Sequence, residues 1–451
     1  MAGMRSLPWV TPFLCMSVCQ AAGRQGGVPA EMVSPDGGEQ WAVGSRHYVL
    51  WQAGADAAGM VKVEYTRDAG KTWQAVADAA PDTGRFLWKV PAGESKHCRI
   101  RVSDEKSGRR LASKAEFAIT PSQEAHGYRW VNVTNNAAWA PRDGAGALVF
   151  AGKMWLLGGW NPPDKMHFPR ICNNEVWSSE DGATWQLVKP NTFLDAGFDP
   201  TADWEGRHTA GYVLHDGKMW IVGGDCNQGH YQFDVWNTTD GAKWQLVDKG
   251  AKVPWGPRAL HYTLAFGGRI WVMGGQTLPQ FAPAAMAFYD DIWNSADGIH
   301  WTKVTPEGPH WCKRGMIGGS LVFRNRMWVL GGGTYDTPEF PERSFFNDVW
   351  SSADGVRWQQ HVQCAPWEPR QYHDVAVFDG RMWVMEGWNK VNRNDVWYSA
   401  DGVNWYELPG TPWHIRHAAS AYVYKDALWM VAGNNMERDV WKLERAPAQG
   451  K

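Results

Sequence analysis

Arg129-Trp130-Val131-Asn132-Val133 alternates like a strand but has no strand next to it in sequence, and its reading decides the fold. From residue 139 onward one pattern repeats. It runs W-x-x-R, a strand, a tight turn, a second strand with an early Trp, usually Gly-Gly, an acidic-V/I-Trp strand, a D-G turn and a final Trp. The start occurs six times, at Trp139/Arg142, Trp204/Arg207, Trp255/Arg258, Trp311/Arg314, Trp367/Arg370 and Trp413/Arg416. The final Trp follows only five of them, as Trp185, Trp244, Trp301, Trp358 and Trp405. The sixth repeat stops at Asp439-Val440-Trp441 and lacks its last strand, which Arg129–Val133 supplies. A linear array does not need a strand from its front end; a ring that must close does.

Each repeat reads as four antiparallel strands. The first hairpin turns on Ala151-Gly152, Asp216-Gly217, Gly267-Gly268, Asn325-Arg326, Asp379-Gly380 and Asp426-Ala427, mostly two-residue hairpin chemistry. The starts are about 46 to 65 residues apart, a blade length expected of a propeller. Four positions in six copies, counting Trp130, account for 24 of the 31 Trp, so most tryptophans are wedge-filling packing groups. Trp160 and Trp388 fall outside that register and open connecting loops.

Over residues 129–445 the strand, turn, strand, di-glycine and spaced aromatics resemble the kelch repeat. The resemblance implies a six-bladed β-propeller, closed by the N-terminal strand, over 127–445. Within that fold it points toward two enzyme groups, the sugar mutarotase/epimerase acting on N-acetylneuraminate and the galactose-oxidase-type copper enzymes. Fold alone does not select among functions.

The front of the chain is different. Residues 1–22 carry Arg5, an apolar run from Leu7 to Val18 and small residues after it, which reads as a secretory signal; 23–31 is a Gly/Pro linker. Residues 32–120 alternate in short segments, at Tyr48–Trp51, Val61–Tyr65, Thr72–Val76, Phe86–Val90, Cys98–Val102 and Ala115–Ile119. They resemble the Ig-like sandwiches of bacterial secreted proteins. The expected class is therefore all-β, an Ig-like sandwich before a propeller, in a secreted or periplasmic protein. Thr66–Trp73 resembles an Asp-box hairpin, a folding motif.

A net charge of −2 with 20% charged residues gives no field for nucleic acid, and no segment after the leader is apolar enough to span a membrane. After leader removal five cysteines remain. Cys172 with Cys226, and Cys312 with Cys364, lie in loops of adjacent repeats and are candidate disulfides. There is no C-x-x-C, no H-E-x-x-H and no phosphate loop, so no metal or cofactor is expected.

The loops before the first strand and after the second open on one face, which carries the longest insertions: Trp160–Ile171, Asp225–Gln232, Gln276–Tyr289, Thr334–Phe346 and Trp388–Asn394. Arg142, Arg207, Arg258, Arg314, Arg370 and Arg416 gather there as candidate ligands for an anion. Six third-strand acids on the same face, Glu175, Asp234, Asp291, Asp348, Asp395 and Asp439, favour a pairing ring instead. Irregular residues are better candidates, because repetition explains the regular ones. His208, His261, Tyr262, Tyr372, Trp160 and Trp388 are candidate binding residues, and Glu386, Asp225, His373 and His417 candidate acid–base groups. Trp160 and Trp388 are expected to flank a rim gap over the short loop of repeat six, with Glu386 and His417 beside it.

Arg370-Gln371-Tyr372-His373 resembles the Tyr-His pair that binds copper in galactose-oxidase-like enzymes. Those enzymes also need a His from a further domain and a Cys-linked Tyr, and the chain ends at Lys451, so copper chemistry is not expected. The leading expectation is a recognition protein for a glycan or small sugar on the loop face. An epimerase or mutarotase without cofactor is the alternative, and a structural module docking a protein partner is a third.

Overall fold

Two-residue turns with positive φ fold the chain into tight hairpins, and six antiparallel sheets repeat one strand order. The computed structural model describes residues 31–53, 59–161, 171–225, 231–248, 253–278, 285–315, 319–336 and 342–446. The expected leader and the linker up to residue 30 lie outside the described residues.

Sheet I comprises Gly146–Phe150, Lys153–Leu157, Val176–Ser179 and Gln186–Lys189. Sheet II comprises Gly211–His215, Lys218–Asp225, Tyr231–Thr238 and Gln245–Asp248. Sheet III comprises Tyr262–Phe266, Arg269–Met273, Ile292–Ser295 and Trp301–Val304. Sheet IV comprises Ser320–Phe323, Arg326–Gly333, Phe345–Ser352 and Trp358–Val362. Sheet V comprises Asp374–Phe378, Arg381–Met385, Val396–Ser399 and Trp405–Glu407. Sheet VI has Ser420–Tyr424, Ala427–Val431 and Val440–Arg445, and takes its outer strand from Tyr128–Thr134. The first hairpins have two turn residues with positive φ, such as Asp216 at 49° and Gly217 at 65°. In sheets IV and VI these residues are Arg324-Asn325 and Lys425-Asp426, one position earlier than expected from sequence.

Trp130 explains why the front strand belongs to sheet VI. In sheets I to V the W-x-x-R tryptophan meets the final Trp edge to face, as Trp139–Trp185, Trp204–Trp244, Trp255–Trp301, Trp311–Trp358 and Trp367–Trp405. In sheet VI, Trp413 has no such partner after it in the chain. Trp130 takes the place, 5.7 Å away at 84°, while Trp130 pairs in register with Leu443. The expected strand is thus present and is two residues longer than Arg129–Val133.

Neighbouring sheets are fastened by a second tryptophan. A Cβ on the D-G turn glycine of one sheet would sit 2.3 Å from the second-strand indole of the previous one, as at Gly241 and Trp155, or at Gly182 of sheet I and Trp429 of sheet VI. First strands neighbour each other from I through VI, and those of VI and I are also neighbours. This is a β-propeller-like fold, all-β among the described residues.

Residues 31–120 form two facing sheets. One joins Met32–Ser34, Arg46–Trp51 and Arg85–Lys89. The other runs Gln40–Ala42, Phe117–Thr120, Ser95–Ser103, Met60–Thr66 and Gln74–Pro81, with Arg110–Ala112 also on Ser95–Ser103. Trp41, Trp51, Val63, Trp88, Ile100 and Phe117 share its core. This unit abuts sheet V: Arg46 pairs with Trp405, and Asn404 Oδ1 accepts the Ala42 amide at 2.7 Å. The Thr66–Trp73 hairpin is a folding motif: Asp68 accepts from Thr66, from Thr72 N and from Thr72 Oγ1.

The cysteine expectation is corrected. Cys312 carries a thiol whereas Cys364 is disulfide-bonded, so these two do not bridge each other. Cys172 also carries a thiol, its Sγ 3.8 Å from Nδ1 of His208, and Cys226 lies outside the described residues.

Candidate functional site

The six arginines are anchors of the fold. Each guanidinium is at most 2% exposed, donates to the carbonyl at the end of its second strand, and pairs with the third-strand acid. Arg258 shows the pattern: Nη1 reaches Gly274 O at 3.0 Å and Asp291 Oδ1 at 2.5 Å, and Nη2 reaches Asp291 Oδ2 at 3.2 Å. The same acid accepts from the Trp two residues on, here Trp293 Nε1 at 2.8 Å. A guanidinium so enclosed is not offered to a ligand, so Arg142, Arg207, Arg258, Arg314, Arg370 and Arg416 leave the binding set.

Chemistry concentrates one residue further on. The residue after each arginine bridges the residue after each di-glycine: Asp143 with Trp160, His208 with Asp225, Ala259 with Gln276, Gly315 with Gly333, and Gln371 with Trp388. In sheet VI the Asn434 amide donates to His417 O at 2.9 Å. The next residue is left-handed wherever described, at Gly144, Thr209, Leu260, Tyr372 and Ala418. Backbone bonds tie these residues between sheets: Thr209 N to Gly144 O, Gly144 N to Ala418 O and Ala418 N to Tyr372 O, at 2.8 to 3.0 Å. The repeat thus builds a rigid floor and leaves twelve positions around it, ten of them bearing side chains, free to differ.

Those side chains form two connected walls. On one, the Arg343 guanidinium lies 4.9 Å from the Trp388 ring and 4.5 Å from that of Tyr335. Tyr335 is hydrogen-bonded to Tyr372, whose ring is 5.1 Å from His417. His417 Nδ1 faces Asn392 Oδ1 at 2.7 Å, which makes Nδ1 the donor and leaves Nε2 as acceptor. Burial, with Arg343 and His208 nearby, lowers His417 to about 4, so it is a neutral base at pH 7. On the other wall the Trp160 ring stacks 6.1 Å from His208. Asp143 lies beneath, with Oδ2 accepting from Asn434 Nδ2 at 3.1 Å and Oδ1 without a hydrogen-bond partner among the described residues. Burial raises Asp143 to about 6. Asn434 links the walls through Asn392 at 3.4 Å.

Trp388, Tyr372 and His417 lie together on one wall, and Trp160 and His208 on the other. Other expectations do not hold. His373 is fully buried, its Nε2 2.9 Å from Leu330 O, and His261 is packed against Trp255; burial holds both near 3. Tyr262 donates to Gly331 O between sheets. Glu386 lies below the rim with Oε1 accepting the Asp374 amide, and faces that acid rather than a histidine. Asp225 meets His208 through its main-chain oxygen, 2.9 Å from Nδ1. Trp160 faces sheet II rather than the gap at sheet VI.

Sequence reasoning missed Asp143, Gln371, Asn392, Asn434, Tyr335 and Arg343. The first two stand at the one position after the arginine that does not repeat, a signal that was readable. Among the described residues no group of three or more His, Cys, Asp or Glu could hold a metal ion. A cleft of about 520 Å³ separates the front unit from sheets IV and V, but its histidines are engaged, His47 with Ser45 at 2.8 Å and His361 with Ser351 at 2.8 Å.

No family model matches the chain. It is similar to a kelch-type protein, N-(sulfonatooxy)prop-2-enimidothioate sulfolyase of Thlaspi arvense, at 25% identity over 206 residues. The match covers 45% of this chain and 55% of that protein, so the chain spans about half the length of the curated relative it matches. The likeness supports a kelch-type propeller protein.

Proposed function

We propose that the chain is a six-bladed kelch propeller closed by Tyr128–Thr134, preceded by an Ig-like sandwich and exported through residues 1–22, and that it recognises a carbohydrate on its loop face. One observation carries this reading. Aromatic rings and polar groups meet on the loop face where the repeat stops dictating residue type, with Trp388, Tyr335 and Tyr372 on one side and Trp160 on the other. Sugars stack their C–H face on such rings while neighbouring amides and imidazoles fix the hydroxyls. A glycan array probed with the purified protein tests it. Binding that Trp388→Ala abolishes supports the reading; binding retained in both Trp388→Ala and Trp160→Ala places the site elsewhere.

A second reading rests on Asp143 and the histidines. A carboxyl near 6 and a neutral imidazole at one site suit proton transfer, as in an epimerase, or in a lyase of the kind the relative's name describes. Proton NMR of anomer exchange on the array's best sugar separates it from simple binding, since only an enzyme speeds the exchange.

A further inference from the structure

Beneath the floor of backbone hydrogen bonds, the first strands enclose a cavity of about 200 Å³. Three polar atoms of its lining residues, Thr209 Oγ1, Tyr212 OH and His261 Nε2, have no hydrogen-bond partner among the described residues. Thr209 and His261 are only 2% and 5% exposed. A buried polar group left unpaired is destabilising, so three in one cavity mark a place that receives polar atoms.

The charge in the cavity has one sign. Glu386 stands behind Asp374 in a side-chain hydrogen bond, and burial raises Asp374 to about 7 and Glu386 well above its ordinary value, so the pair shares a proton and holds about one negative charge at pH 7.5. No lysine or arginine lines the cavity, and burial keeps His261 neutral. An anion is rejected here and a cation is drawn in. Thr209 and Tyr212 add oxygen acceptors, and His261 Nε2 is an acceptor when Nδ1 donates to Thr263 Oγ1, 2.6 Å away.

Shape supplies the rest. Side chains return to the same strand face every second residue, roughly 6.6 Å apart. One such step past the cavity, the six first strands present Val149, Leu214, Ala265, Val322, Val377 and Val423, all aliphatic. Leu214, Val322 and Val423 are 39%, 37% and 40% exposed, so this end opens to solvent through an apolar collar.

We propose that the channel is a second binding site, separate from the loop face, which takes a primary aliphatic amine with its ammonium on Asp374 and its chain in the collar. Calorimetry at pH 7.5 with n-hexylamine, hexan-1-ol and hexanoate tests this on the whole chain. Hexylamine binds at least tenfold more tightly than hexanol, and hexanoate gives no heat. Asp374→Asn weakens hexylamine at least tenfold. Val322→Trp, which fills the collar without touching the acid, does the same at an unchanged melting temperature. Trp388→Ala leaves hexylamine affinity as it was, which separates this site from the sugar site. Equal affinity for alcohol and amine, no heat with hexylamine, or full affinity in a folded Val322→Trp variant overturns the proposal.

Discussion

Arg258 illustrates how one residue type, repeated, misleads about function. Six arginines on one face invite an anion, yet each is bonded on all sides within its own sheet. Removing Arg258 leaves Asp291 and the Gly274 carbonyl uncompensated in a buried setting. Arg258→Ala is therefore expected to cost about 3 to 5 kcal/mol, read by denaturant unfolding. Asp143 is the opposite case, a single residue with no counterpart in the other repeats. Burial raises its carboxyl from an ordinary 3.8 to about 6. Above pH 6 the folded state must therefore hold a buried ionised group, and as pH falls through 6 that penalty disappears. Asp143→Asn is expected to be more stable than the wild type at pH 8, by about 3 kcal/mol, with the advantage gone near pH 4. Melting curves across that range check it, and an advantage that grows toward acid contradicts it. His208 and His417 were legible because histidine among arginines is conspicuous. Tyr335 and Arg343 were not, because they sit in a long loop without register.

At the scale of elements, turns and tryptophans made the six sheets legible. A hairpin needs two left-handed residues, and an inter-sheet wedge needs an indole facing a glycine. The second rule gives a sharp contrast. Gly241 has φ of +73° and no room for a Cβ beside Trp155, whereas Gly217, at +65°, meets nothing within 4 Å. Gly241→Ala is expected to cost roughly 2 to 5 kcal/mol and Gly217→Ala about 1 kcal/mol. Equal losses in urea unfolding contradict the wedge. The front unit was less legible. Gln40–Ala42 is three residues long and pairs in parallel with Phe117–Thr120, a contact that no local pattern announces. Expected strand Thr72–Val76 begins at Gln74 because Asp68 holds Thr72 in the turn.

Across the whole molecule, repeated residues hold the six sheets together and unrepeated ones decorate them. Deleting residues 127–134 exposes the edge of Val440–Arg445 and strips Trp413 of its partner. The truncated chain is expected to aggregate or melt far below the full one in a thermal scan, and an unchanged melting temperature contradicts a closed six-bladed ring. The loop face offers the more direct test, because function there must be separable from stability. Titrate the best sugar from the array into wild type, Trp388→Ala and Arg258→Ala by calorimetry, below all three melting transitions. The predicted result is at least a tenfold loss of affinity in Trp388→Ala with its melting temperature kept, and wild-type affinity in a destabilised Arg258→Ala. Affinity kept in Trp388→Ala and lost in a stable Arg258→Ala would contradict it.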